Sequence, residues 1–385
     1  MKFEFATAGK IVFGPGATDQ LAEIAGAFGN RAFLVLGGDP HRFGHILDQL
    51  ASAAIACEIF RVTGEPTTEM AQAAVVSARW AQSQVVIAIG GGSVIDTGKV
   101  VAAMLRSEGE LLEYLEVVGA GKPLQGEPVP YIAVPTTAGT GAEVTRNAVL
   151  RVPERQVKVS MRSPLLLPQV ALVDPLLTHS MPPALTASTG LDALTQLIEP
   201  FVSHKANPMT DGVCREGLQR AGRSLRRVFR NGSDAQARED ISIASLFSGL
   251  ALANAALGAV HGFAGPLGGM MDAPHGAICG KLLPYVIETN VRALQARAPD
   301  SPALARFDEV ARILTGKNSA RASDTVSWIL DLCTEFGLPG LSTYGLTRAD
   351  LPTVAAQAKK ASSMKGNPVE LHDDELVEIL AKAMA

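Results

Sequence analysis

The sequence predicts an α/β parallel-sheet domain over residues 1–180 followed by an all-α domain over residues 181–385. Two observations carry this. In the first half, short continuous apolar runs ending in glycine alternate with stretches of helical spacing, the pattern of βαβ units whose sheet is buried on both faces. Beyond about Pro182 the chain becomes rich in Ala and Leu at amphipathic spacing, with hardly a strand pattern left.

In chain order, RAFLVLGG (31–38) reads as a strand, FGHILDQLASA and TTEMAQAAVVSARWAQ as helices, and QVVIAIGGG (84–92) as the next strand. YIAVP (131–135) and VALVDP (170–175) are further strands. LLTHSMPPAL then brings paired prolines, which stop one element and start another and set the boundary near 176–184. ALTASTGLDALTQLIEPFV, EDISIASLFSGLALANAALGAVHGFAG, TVSWILDLCTEF and DELVEILAKAMA follow as helices.

The 385 residues are 47% hydrophobic, enough apolar material for two substantial cores. A formal net charge of −4 supplies no attraction to nucleic acid or to an anionic membrane, and neither is expected as a partner. Cys57, Cys214, Cys279 and Cys333 have no CxxC spacing, so they read as buried free thiols and not as a disulfide framework or a thiolate zinc site. MKFEFATAGKIVFG lacks a long apolar segment, and no run approaches about 18 apolar residues, so a cytoplasmic protein is expected.

Two loops suit a phosphate-bearing ligand. In IAIGGGSVIDTGK a strand ends in glycines and Ser93 can cap the next helix, so Gly91, Gly92 and Ser93 combine close backbone approach with a helix N-terminus. Asp96 and Lys99 on the following turns make the segment more distinctive than a bare tight turn, and Asp96 is counted with the cofactor-binding residues. In VPTTAGTGAEVT, Thr136, Thr137 and Thr140 offer hydroxyls to phosphate or ribose, or form a polar turn. Asp39, in VLGGDPHRF, could serve as the acidic residue that holds ribose hydroxyls after an early strand in NAD-preferring dinucleotide sites.

The chemistry is suggested further on. TGLDALTQ places Asp192 on a helix, and His261 and His275 bracket AVHGFAGPLGGMMDAPHG. A carboxylate and two imidazoles suit a divalent transition ion, while a histidine on an apolar helix also has a purely structural reading.

Taken together, GGGSVID with Asp96 and Lys99, PTTAGTGAE, Lys158 in RQVKVSMRSP, ALVDP, MPPALTASTGLDAL and PHG at 274–276 resemble the iron-containing (group III) alcohol dehydrogenase family. The matches run in order from about residue 9 to about residue 290, with a weaker echo in KGNPVEL. The resemblance implies a Rossmann-like nucleotide domain, a helical metal domain and catalysis in the cleft between them. It also implies NAD or NADP, Fe2+ or Zn2+, and a small-molecule alcohol or aldehyde substrate; a homodimer is expected because dimers are common in such folds. On this footing Gly91, Gly92 and Ser93 resemble the pyrophosphate loop, Thr136, Thr137 and Thr140 the threonines beside the nucleotide, and Lys158 a lysine near its ribose.

Asp192, His261 and His275 then match three of four metal ligands, all three counted as catalytic. The fourth is usually a histidine where this chain has Gln196, which can offer an amide oxygen, a weaker donor, at the same i, i+4 spacing. Gly265 stands where many members carry a proton-relaying histidine; water, a threonine or His204 could substitute, although His204 also reads as a surface residue. Gly38 aligns with the family's aspartate, which keeps NADP open through His41 or Arg42. Three readings follow: hydride transfer between a nicotinamide and an alcohol or aldehyde on a metal; a metal-independent reductase resembling maleylacetate reductases, favoured by Gln196; and a lyase resembling dehydroquinate synthases, for which Lys205, Arg215 and Lys281 are the few basic candidates. A non-catalytic nucleotide-binding protein is a further alternative.

Overall fold

The computed structural model describes residues 2–155 and 157–385. The chain forms two compact units: a sheet unit, Ala6–Thr137 with Gly141–His179, and a helical unit, Ser180–Ala385 with Ala138–Thr140 and the first residues up to Phe5.

The sheet unit contains β1 (Lys10–Phe13), α1 (Leu21–Gly26), β2 (Arg31–Gly37), α2 (Gly44–Ser52), β3 (Ala56–Val62), α3 (Thr68–Trp80), β4 (Val85–Gly90), α4 (Gly92–Met104), β5 (Tyr131–Pro135), β6 (Asn147–Val152), β7 (Val157–Arg162) and β8 (Val170–Val173). Six strands form a parallel sheet in the order β1-β8-β5-β4-β2-β3. Alternate residues of each run enter opposite cores: Leu34, Leu36, Ile87 and Ile89 join one cluster, Phe33, Val35, Val86 and Ala88 the other. Two buried faces explain why these strands read as unbroken apolar runs.

The expected strands at 31–38, 84–92, 131–135 and 170–175 are β2, β4, β5 and β8. Four strands carried no such signal. β3 is an edge strand whose Glu58 and Arg61 are not buried, and β6 pairs β7 as an antiparallel hairpin that covers one face of α4 with Ala148, Leu150 and Met161.

The helical unit runs α5 (Pro183–Val202), α6 (Pro208–Arg230), α7 (Ala235–Ala255), α8 (Ala259–Met270), α9 (His275–Arg297), α10 (Pro302–Thr315), α11 (Ala322–Glu335), α12 (Leu351–Lys360) and α13 (Asp373–Ala383). Pro183 opens α5 at a position where a missing N–H costs nothing. The helix is buried on nearly every side from Thr186 onward and packs against α6, α7 and α9, as an apolar helix at the centre of a bundle must. Ala256, with φ of 64°, ends α7, and α8 departs at 102° to it. No single helix among the described residues is long and apolar enough to cross a membrane.

One contact sets where α9 begins. A Cβ at Gly276 would lie 1.9 Å from the carbonyl oxygen of Ser188, so only glycine lets α9 start against the backbone of α5. His275 is thereby drawn toward Asp192, one turn along α5 from Ser188.

Candidate active site

The first cluster lies at the carboxyl edge of the parallel sheet. β2 and β4 are neighbours, with β3 beyond one and β5 beyond the other, so the strand order reverses between them; such a switch point opens a crevice for ligands. The loop after β2 carries Asp39, whose Oδ1 accepts from the His41 amide at 3.0 Å. The loop after β4 is Gly91, the N-cap of α4, with Gly92 as the first helical residue. The loop after β5 brings Thr136, which donates its amide to Gly90 O at 2.9 Å, and Thr137, whose Oγ1 would lie 3.3 Å from a Cβ at Gly91.

Asp39, Gly91, Gly92, Ser93, Thr136 and Thr137 are thus gathered beside three adjacent strand ends, with the N-terminal end of α4 at the centre. Ser93 is not the helix cap expected of it: it lies inside the first turn, and its carbonyl accepts from Thr97 Oγ1 at 2.8 Å. Thr140 belongs with the helical unit.

Asp96 and Lys158 are engaged elsewhere. Asp96 Oδ2 accepts from the Val149 amide at 2.9 Å, and Oδ1 lies 3.5 Å from Lys99 Nζ, which donates to Thr145 Oγ1 and Asn147 O. The pair therefore ties α4 to β6. Burial pushes the Asp96 carboxyl up and the Lys99 ammonium down, and it raises buried Glu143 to about 7. Lys158 Nζ donates to Glu65 Oε1 at 2.7 Å.

The second cluster is built by three helices of the helical unit. Asp192 comes from the middle of α5, His261 from the first turn of α8 and His275 from the first position of α9. His261 Nε2 and His275 Nε2 lie 3.5 and 3.6 Å from Asp192 Oδ1. That oxygen is buried and makes no hydrogen bond, while Asp192 as a whole is 2% exposed. A buried carboxylate oxygen aimed between two imidazole nitrogens is the arrangement that a cation satisfies.

A fourth donor joins them. Cys279 Sγ lies 3.7 Å from His275 Nε2 and 3.9 Å from His261 Nε2, and all four donor atoms fall within 4.8 Å of one another. Cys279 was expected to be a buried free thiol; the signal in the sequence was its i, i+4 spacing from His275, which puts both on one helix face.

Glu199, two turns along α5 from Asp192, was also missed. Its Oε2 sits 2.7 Å from His261 Nδ1, and its Oε1 accepts from the Val260 amide at 2.7 Å. Asn367 Oδ1 takes the preceding amide, Ala259, at 3.2 Å, so the start of α8 is capped by two distant side chains.

The four grouped side chains shift one another toward their charged forms. Burial opposes the Asp192 anion, but the imidazoles of His275 and His261 keep its carboxyl below the ordinary range; burial likewise opposes the Cys279 thiolate, which the same imidazoles favour. Against the pull of burial, Cys279 and Asp192 drive His261 well up; His275 rises with Cys279 as the main cause. A dication can replace those protons without leaving either anion uncompensated. His275, with 41% of its side chain exposed, marks the open side of the cluster.

Four further candidates lie apart from this arrangement or have other partners. Gln196 is buried, with Oε1 accepting from Ser248 Oγ at 2.8 Å. A Cβ at Gly265 would meet nothing within 4 Å. His204 is exposed with Nδ1 at 3.3 Å from Asn367 O, and Arg215, a candidate for a phosphate pocket, pairs with Glu309.

The family described as iron-containing alcohol dehydrogenase matches residues 8–175, and its C-terminal counterpart, the Fe-containing alcohol dehydrogenase family, matches residues 186–384. A 1,3-propanediol dehydrogenase of Klebsiella pneumoniae is 34% identical over 390 aligned positions, covering 99% of this chain and 98% of that protein. The crystal structure of a 1,3-propanediol oxidoreductase superimposes with a TM-score of 0.91 at 32% identity, covering 100% of both chains. A sulfoacetaldehyde reductase of Bifidobacterium kashiwanohense, in complex with NAD+, gives 0.87 at 29% identity over 100% of this chain and 99% of that one. With both halves matched in order and a relative aligned end to end, the chain belongs to the iron-containing alcohol dehydrogenase family.

Proposed function

We propose that this alcohol–aldehyde oxidoreductase works with NAD, held at the strand ends that carry Asp39, Gly91, Gly92, Ser93, Thr136 and Thr137, and with a divalent ion held by Asp192, His261 and His275. The observation that carries the metal assignment is the orphaned Asp192 Oδ1, buried and facing two imidazole nitrogens. When bound, such an ion acts as a Lewis acid on the substrate oxygen, and the nicotinamide accepts or delivers the hydride.

The chain's own groups prepare that chemistry. Glu199 accepts from His261 Nδ1–H, which fixes the tautomer that turns a lone pair on Nε2 toward Asp192. His275 forms the accessible edge, where a small alcohol reaches the cluster. The space beside Gly265 supports a substrate that is bulkier or more polar than a simple alkanol, in keeping with relatives named for propanediol and sulfoacetaldehyde. At the sheet edge the amides of α4 suit a pyrophosphate, and the Asp39 carboxylate suits ribose hydroxyls while repelling a 2′-phosphate.

Elemental analysis of protein purified without chelators tests the metal: near-stoichiometric iron or zinc is expected, lost in Asp192→Ala. Comparing kcat/KM with NADH and NADPH tests the cofactor, with Asp39→Gly expected to narrow the preference; a preference for NADPH in the unaltered protein overturns that part. The proposed assembly is a cytoplasmic homodimer, supported by the prevalence of two-fold symmetry among soluble oligomers and checked by light scattering.

A further inference from the structure

We infer that the fourth protein donor of the metal centre is the Cys279 thiolate, and that Gln196 is not a ligand. The inference rests on the metal reading above and replaces an oxygen donor on α5 with a sulfur donor on α9.

The distances carry it. Four-coordinate zinc with bond lengths of about 2.0–2.3 Å sets neighbouring donors roughly 3.3–3.8 Å apart. The two imidazole nitrogens lie 3.5 and 3.6 Å from Asp192 Oδ1, and Cys279 Sγ lies 3.7 and 3.9 Å from those nitrogens. Cys279 therefore stands at the corner a fourth ligand takes, slightly expanded. Asp192 Oδ1, buried without a hydrogen bond, is an independent sign that the space among these atoms is meant for a cation.

The alternative donor is the weaker one. Gln196 Oε1 is a neutral amide oxygen that already lies 2.8 Å from Ser248 Oγ inside a buried site, whereas Cys279 offers a thiolate, a stronger ligand for zinc or cobalt. The place of Gln196 at i, i+4 from Asp192 is mirrored on α9, where Cys279 follows His275 by the same interval. The helix packing that brings His275 against α5 through Gly276 brings Cys279 with it.

The chemistry of the set changes accordingly. Asp192 and a Cys279 thiolate together neutralise a dication, where Asp192 with three neutral donors leaves one positive charge. Thiolate sulfur also moves the preference from iron toward zinc and cobalt, which bind it in tetrahedral geometry.

Cobalt(II) reports this without reference to turnover. Metal-free full-length protein is titrated with Co2+ and its absorption recorded: ligand-field bands in the visible report four-coordinate binding, and a sulfur-to-cobalt charge-transfer band in the near ultraviolet reports a thiolate ligand. The unaltered protein and Gln196→Ala are expected to show both. Cys279→Ser is expected to keep visible bands, lose the sulfur band and bind zinc at least about tenfold more weakly. Visible bands without a sulfur band in the unaltered protein overturn the Cys279 assignment and leave the metal centre standing. No cobalt bound at all overturns both readings. Because the decisive spectrum is that of the unaltered protein, a misfolded serine variant does not blunt the test.

Discussion

Glu199 Oε2 lies 2.7 Å from His261 Nδ1 while its other oxygen accepts from the Val260 amide, so one carboxylate fixes both an imidazole and the helix start that bears it. Glutamine has a single acceptor oxygen for these two donors. In Glu199→Gln, an oxygen kept on the Val260 amide turns the NH2 group toward Nδ1 and favours the tautomer with hydrogen on Nε2. Chelator competition is expected to show metal affinity about 10–100-fold lower, with thermal stability reduced by only about 1 kcal/mol. Unchanged affinity rules out the orienting role.

Gly276 and Gly265 make opposite predictions for the same substitution. Gly276→Ala drives a methyl group into Ser188 O, and a cost of about 1–3 kcal/mol is expected, with metal binding impaired as His275 shifts. Gly265→Ala meets nothing beyond its chain neighbours, but Pro266 follows it in α8 and disfavours a Cβ in helical conformation, so a gain of no more than about 0.5 kcal/mol is expected. Thermal denaturation of both variants decides; equal losses would falsify the close-approach account of α9.

The room for a Cβ at Gly265 also invites a larger side chain as a test. Gly265→His is expected to raise kcat by roughly tenfold or more, since a positioned acid–base group contributes about 10²–10⁴-fold, and to add an ionisation to the kcat–pH profile. A higher KM with kcat unchanged means that the imidazole only crowds the substrate.

Glu143 gives the sheet unit a pH dependence. Burial raises its carboxyl from an ordinary 4.5 to about 7, so below about 4.5 both folded and unfolded chains hold the proton and it contributes nothing. Between about 4.5 and 7 the folded state alone keeps the proton, so stability falls as pH rises; above 7 the full penalty, roughly 3 kcal/mol, is present. Glu143→Gln is expected to show a smaller drop in Tm from pH 5 to pH 8, partly offset because Lys99 loses a neighbouring carboxylate. Parallel Tm profiles for the two proteins refute this assignment.

The sequence made β2, β4, β5 and β8 legible because burial on both faces leaves no polar residue to interrupt them. β3 escaped notice because its edge position permits Glu58 and Arg61, which erase the apolar run. Asp192, His261 and His275 were readable as residue types, but their convergence depends on helix packing that no local pattern encodes. Cys279 was passed over because a thiol without a CxxC partner looks structural, and its partner was a histidine one turn away. Ser93 was misjudged for the reverse reason: a favourable capping residue lies two positions after Gly91, but the helix begins two residues earlier than a Ser93 cap would set it and the glycine takes the cap.

The donors leave the ribosome well before they can act together. Asp192 emerges about 90 residues before Cys279, an interval of roughly 4–17 s at ordinary elongation rates. Throughout that time α5 carries an acidic group on a surface destined for the centre of the bundle, with water as its partner. In the proposed ligand set His275 and Cys279 are neighbours on one helix, whereas Asp192 and His261 come from two others, so the full set of donors exists only once the bundle has closed.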